Sequence, residues 1–318
     1  MTSVHNTRIA CSGPAATALV AVLTALALAA PPAGAAGLPG FDLGSDSASA
    51  PPAPAATSGN FLLRKGVFTP LRDVPGAGRT SHTDINNRGQ TVGTYGDGAG
   101  PVRGFLRDKR DRFTPVDVPG ASNTFPSGVN DRGRVVGFYE DSARPTGVGG
   151  FVREPGGEIT RIDFPGALVT QPHGINNRGQ IAGFYVDAGG KLHGFLRSKG
   201  SFRTIDVPGA VGAIALDVND RGEIVGGYGD PQRRTHGYRL RKGVFTTIDP
   251  PGAVDVPGNP GFAATAPFGI NNRGQIVGQY ADAQGSTPTC STRASTRPSI
   301  RRPGRAPRQP TSTTAARS

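Results

Sequence analysis
The sequence predicts an all-β fold, a β-propeller of four-stranded repeats about 44 residues long, with five blades. Three observations predict it. The chain holds Gly 48 and Pro 29 but no Trp and one Met, a composition of short strands joined by many turns. Past its N-terminal stretch, no window sustains a 3.6-residue apolar period beside good helix formers. From Gly59 to Gly285 the sequence repeats itself.

The markers of that repeat keep one order. A FLR-like strand starts at Phe61, Phe105, Phe151, Phe195 and Tyr238, and a DVPGA-like segment at Asp73, Asp117, Asp163, Asp206 and Asp249. An Asn-[Asn/Asp]-Arg-Gly turn follows Ile85, Val129, Ile175, Val218 and Ile270. The fourth copy shows the four strands: His193 to Arg197 and Ser201 to Val207 form one hairpin, Ile214 to Val218 and Glu223 to Tyr228 the next. One unit of this kind cannot bury both faces; units packed in succession can, so apolar residues on both parities are expected. The chain starts its array with an FLR hairpin and finishes with an NRG hairpin. A blade of NRG hairpin plus following FLR hairpin therefore requires Phe61 to Asp73 to join Phe268 to Tyr280. That closure would protect strand edges. An open β-repeat arc or a solenoid of hairpins is the alternative.

Around the array, residues 1–35 read as a secretory signal peptide: Arg8, the apolar run Ala15 to Ala30, and an Ala33-Gly34-Ala35 cleavage site. Residues 36–58 form an Ala/Pro/Ser-rich linker, and 59–285 the repeat domain. Residues 286–318 are a basic tail. Only Cys290 would remain after cleavage, so packing rather than disulfides must hold an exported fold. Of the formal +12 charge, seven positive charges lie in the acid-free tail and one before residue 36, leaving +4 for residues 36–285. A mildly basic body argues against a specific nucleic-acid partner. No membrane span is expected and a monomer is.

The tail breaks the repeat after Asp282. Codons can be chosen for LLDKGVYTTIDP so that reading from the second base yields CSTRASTRPSIR, which is Cys290 to Arg301. The in-frame peptide resembles LRKGVFTTIDP at Leu240 to Pro250, so the tail is expected to be a frameshifted continuation of the array.

The turn motif itself lacks a nucleophile–base pair and reads as hairpin chemistry: Asn opens a type I turn and Gly takes the left-handed position. Its arginines, Arg88, Arg132, Arg178, Arg221 and Arg273, are not required by the turn. They are either solvated or locally paired, or a ring of guanidiniums that could meet an anionic polymer. The Y-x-D acids, Asp97, Asp141, Asp187, Asp230 and Asp282, supply one carboxylate per repeat, too few for Ca²⁺. No metal and no cofactor is expected.

INNRGQIVG-x-Y-x-D, followed by HGF and FTTIDVPGA, resembles the bacterial extracellular repeats of the HAF family over nearly all of residues 59–285. The resemblance implies a secreted repeat protein and carries no catalytic residues. The namesake His occurs only at His193 and His236. Where copies differ, Asp84 and Asp217 replace Gly128, Gly174 and Gly269, and His82, His173 and Phe268 are expected on the same variable loops. Two acids would be the minimum for an extracellular glycoside hydrolase or lyase; capping of the turn is their structural alternative. The function expected is a secreted or cell-surface binding or scaffold module for a glycan, cell-wall polymer or protein.

Overall fold
The computed structural model describes residues 60–280 apart from 65, 66, 98, 99, 144, 145, 233 and 255–264. The signal peptide, linker and tail, with Cys290 and Asp282, lie outside the described residues, as does much of the insertion before the last turn. Every regular element described is a β-strand. Strands β1 (Phe61–Arg64) and β2 (Val67–Pro70) form a two-stranded sheet. Four antiparallel meanders follow. The first comprises β3 (Arg79–Ile85), β4 (Thr91–Gly96), β5 (Arg103–Arg107) and β6 (Phe113–Val116). The second is β7 (Asn123–Val129), β8 (Val135–Glu140), β9 (Val148–Arg153) and β10 (Ile159–Ile162). The third is β11 (Val169–Ile175), β12 (Ile181–Val186), β13 (Leu192–Ser198) and β14 (Ser201–Ile205). The fourth is β15 (Gly212–Val218), β16 (Ile224–Gly229), β17 (Thr235–Arg241) and β18 (Val244–Ile248). A second two-stranded sheet, β19 (Thr265–Ile270) and β20 (Ile276–Tyr280), ends the series.

Each four-stranded sheet thus begins with the NRG hairpin and ends with the FLR hairpin, the phase the sequence predicts. The closure expected between the first and last hairpins is not made as one sheet: β1–β2 and β19–β20 are separate sheets in the described residues. Asn60 attaches the first hairpin to β3, its Nδ2 donating to Thr80 O at 2.8 Å and its Oδ1 accepting from His82 N at 3.3 Å.

The core lies between sheets as a succession of apolar layers. Val92 and Val116 of one sheet meet Val129, Val135, Tyr139 and Phe151 of the next. Val136, Val152 and Ile162 then meet Ile175, Ile181 and Phe195, and Ala182, Leu196 and Ile205 meet Val218, Ile224, Tyr238 and Leu240. Val225 packs with Ile270 and Ile276. Middle strands such as β12 are accordingly buried along their whole length, whereas the outer strand β18 is largely exposed. Burying one such aromatic ring stabilises the fold by about 1.5–3 kcal/mol.

Every first strand carries a bulge at one place, between Pro172 and Gly174 in β11 and at the matching positions of β3, β7, β15 and β19. The extra residue presses the facing strand close, which accounts for the last glycine of INNRGQIVG. A Cβ on Gly183 would stand 2.3 Å from Gln171 O, and one on Gly226 2.0 Å from Ile214 O. Backbone cannot retreat from such a contact without moving the ladder. Gly183→Ala is therefore expected to destabilise by about 1–3 kcal/mol in urea unfolding. Gly156→Ala, with nothing near its Cβ position, should leave the midpoint nearly unchanged.

Candidate functional site
The repeated turn is where the units are joined. Its glycine adopts a left-handed conformation in all five copies, with φ from 75° at Gly89 to 79° at Gly274, and its amide donates to the first Asn carbonyl, as Gly179 N to Asn176 O at 3.0 Å. That Asn does more than open the turn. Asn176 Oδ1 accepts from Arg178 N at 3.0 Å and Gln180 N at 2.9 Å. Its Nδ2 donates to Gln180 Oε1 at 2.8 Å and, across to the next unit, to Asn219 O at 2.9 Å. The same cross-unit bond runs from Asn86 to Asn130 O (2.8 Å), Asn130 to Asn176 O (3.1 Å) and Asn219 to Asn271 O (3.0 Å). Sequence reasoning recognised the turn and missed the relay, because Asn suits the turn alone.

The two acids singled out in the sequence act in the same joints. Asp84 Oδ2 accepts from Val129 N and Asp217 Oδ2 from Ile270 N, each at 2.8 Å. Asp217 Oδ1 also accepts from Val218 N at 2.8 Å. Both carboxylates are buried, Asp217 to 1 % exposure. Their capping role thus reaches the following unit rather than only their own turn, and they are packed away from solvent instead of lining an open cleft. The glycine at Gly174 leaves room for this: a Cβ there would lie 2.5 Å from Asp217 Oδ1.

The residues expected on variable loops sit instead within first strands. His82 lies in β3, His173 in the bulge of β11 and Phe268 in the bulge of β19. In the same bulged position Thr83 Oγ1 donates to Pro126 O (2.8 Å) and Ser127 Oγ to Pro172 O (2.7 Å), further links between units. His82 bonds Thr91 Oγ1 at 2.9 Å, and His173 stacks on Phe184. Burial holds both imidazoles near pKa 4, with the Arg107 charge adding to the effect at His82.

The two histidines of the HGF tripeptide are internal clamps. His193 Nδ1 is 2.8 Å from Asp206 and Nε2 3.2 Å from Asp187; His236 makes the equivalent contacts with Asp249 at 2.9 Å and Asp230 at 3.3 Å. Tyr185 and Tyr228 stack against them. Each clamp ties the Y-x-D loop to the D-x-P-G segment of its own unit. Burial lowers the His236 pKa, but Asp249 and Asp230 outweigh it and raise the value above the ordinary one. The described Y-x-D carboxylates, those of Asp97, Asp141, Asp187 and Asp230, also accept from amides of their own loops, as Asp187 Oδ1 from Gly189 N and Lys191 N. Among the described residues no cluster of His, Cys, Asp and Glu is arranged for a metal ion.

Against these internal roles, the five turn arginines stand apart. Arg88, Arg132, Arg178, Arg221 and Arg273 are all exposed, and no described carboxylate pairs with them. The turns that carry them are tied one to the next by the relay, so the five Arg positions follow one another along a row of linked turns.

No protein-family model matches the sequence, and no curated protein matches it. Solved structures show a distant likeness. TolB from Acinetobacter baumannii is 10 % identical over 63 % of this chain and 51 % of its own, with a TM-score of 0.44; the chain spans about half the length of that relative. A fucose-specific lectin from Aleuria aurantia is 13 % identical over 63 % of this chain and 70 % of its own (TM-score 0.37). A lectin from Burkholderia pseudomallei is 13 % identical over 62 % and 64 % (TM-score 0.34).

Asn176→Ala removes four hydrogen bonds of a buried carboxamide and is expected to lower stability by about 3 kcal/mol. Arg178→Ala in the same turn should stay within about 0.5 kcal/mol. The pH dependence has two arms. His82 and His173 titrate near 6.5 when unfolded and near 4 when folded, so stability present above pH 6.5 falls as pH drops towards 4. His173→Phe should flatten that acid slope in melting curves. The raised pKa of His236 has the opposite sign: its contribution is full below pH 6.5 and is lost as pH rises through the folded value, a loss that His236→Gln should remove.

Proposed function
We propose that the chain is a secreted or cell-surface β-propeller protein of the HAF repeat type, and that it acts as a non-catalytic binding module for an anionic cell-wall polymer or acidic glycan. Five exposed arginines on successive linked turns, without a carboxylate partner among the described residues, carry this reading. A guanidinium stays charged at any physiological pH and meets phosphate or carboxylate through two parallel N–H donors. Five of them on turns linked one to the next suit a ligand that itself repeats, since each added contact is intramolecular once the first is made. The turn does not need these side chains, and the fold leaves them outward. The acids that a hydrolase would need are engaged with backbone amides in the joints between units, which favours binding over catalysis. Secretion rests on the reading of residues 1–35.

The test is binding of the full chain to a poly(glycerol phosphate) cell-wall polymer and to a neutral glycan of similar length. Replacing all five arginines by Gln is expected to weaken polymer binding at least about a hundredfold and to flatten its salt dependence. The neutral glycan should bind neither protein. Unchanged affinity of the Gln variant for the polymer would refute the proposal.

A further inference from the structure
The second position of the turn alternates along the array: Asn87, Asp131, Asn177, Asp220, Asn272. The structure shows why the order matters. At each step the leading residue's backbone amide donates to the Oδ1 of the following side chain: Asn87 to Asp131 (2.8 Å), Asp131 to Asn177 (2.8 Å), Asn177 to Asp220 (2.7 Å) and Asp220 to Asn272 (2.7 Å). In addition every Asn Nδ2 donates to the Oδ2 of its Asp neighbours. Asn177 does so on both sides, to Asp131 at 2.9 Å and Asp220 at 3.1 Å, and Asn87 and Asn272 each do so on one side, at 2.7 Å. An Asp thus accepts from two Asn, and an Asn donates to two Asp. Two adjacent Asp would bring carboxylates together with no side-chain donor between them; two adjacent Asn would lose the charge-assisted bond. A ring that keeps this pairing has an even number of units.

The two ends of the row behave as open ends. Asn87 and Asn272 are exposed, whereas Asp131, Asn177 and Asp220 between them are half-buried. Among the described residues nothing accepts the Asn272 amide. Among the described residues the end hairpins form two-stranded sheets where the other units form four-stranded ones. Phe61 of β1 is 38 % exposed, while its counterparts Phe105, Phe151, Phe195 and Tyr238 are at 0 % under the NRG hairpins of their own sheets. At the other end Val277 of β20 is half-buried, where Val92, Val136, Ala182 and Val225 are fully covered by the next unit.

We propose that the propeller closes with six blades, and that the gap between β20 and β1 takes one further repeat period whose turn reads Asn-Asp-Arg-Gly. Its FLR hairpin completes the sheet of β19–β20. Its NRG hairpin completes the sheet of β1–β2 and inserts an Asp between Asn272 and Asn87, restoring the alternation. Five-blade closure within the described residues would instead set Asn272 beside Asn87. A second copy placed end to end would repeat the same Asn–Asn meeting, so the occupant is an Asp-bearing repeat unit. A frameshift before the tail, for which codons can be chosen that restore LLDKGVYTTIDP, would account for the missing unit.

The experiment supplies the unit. The segment Leu192–Gly229, an FLR hairpin followed by a VNDRG hairpin, is added to the full chain as a peptide and, separately, inserted after Tyr280. Each format is made with Asp220 and as Asp220→Asn. The expected result is one peptide per chain by native mass spectrometry, a higher Tm for the insertion, and slower exchange of the Asn272 amide. Affinity should drop about tenfold for the Asp220→Asn peptide. An insertion that leaves Tm unchanged or lower overturns the proposal. So does equal behaviour of the Asp and Asn forms, or an Asn272 amide already as protected in the chain alone as that of Asn177.

Discussion
The structure depends on one carboxamide used in two directions. In each turn the first Asn holds its own backbone with Oδ1 and reaches the next unit's carbonyl with Nδ2. A hairpin of two short strands is barely stable alone, and a single four-stranded unit leaves both faces open. The apolar layers between sheets provide the larger share of the stabilisation, but hydrophobic burial is itself non-directional. The Asn relay, with the Asp84 and Asp217 bonds to Val129 and Ile270 and the Thr83 and Ser127 links, fixes the register in which those layers meet. Polar bonds of modest net strength here act as alignment, because any slip would leave buried amides and carbonyls unpaired.

What the sequence made legible follows from how local each signal is. The left-handed glycine, the turn Asn and the Pro-Gly corner are chosen by backbone geometry within four residues, so the hairpins, their phase and the repeat length could be read directly. The bulge in each first strand left only an indirect trace, the glycine that faces it. The partners of Asn176, Asp217 and His193 were not legible. Asn219 lies 43 residues from Asn176 and Ile270 lies 53 from Asp217, and a turn Asn or Asp looks the same with or without a distant partner. His193 and His236 read as survivors of a motif; the structure gives them two carboxylates apiece. The acids that stood out by varying between copies are part of the joints, and Gly174 leaves the room that Asp217 occupies.

The division of labour within the motif bears on function. Its first Asn, second Asn or Asp, and both glycines are absorbed by the fold, each with a bond or a steric requirement. The Arg alone is left over, repeated as faithfully as the rest yet turned to solvent. A side chain without structural need on every unit is where a repeating ligand would be met.

The turns are joints between units and not ordinary hairpin tips. Native-state hydrogen exchange at the backbone amides of Asp131, Asn177 and Asp220 tests this most directly, since each donates only to a side chain of the following unit. These amides are expected to exchange as slowly as those of the middle strands β8, β12 and β16, through cooperative unfolding. Exchange at the fast rate of exposed hairpin tips, with the strand amides still protected, would contradict it.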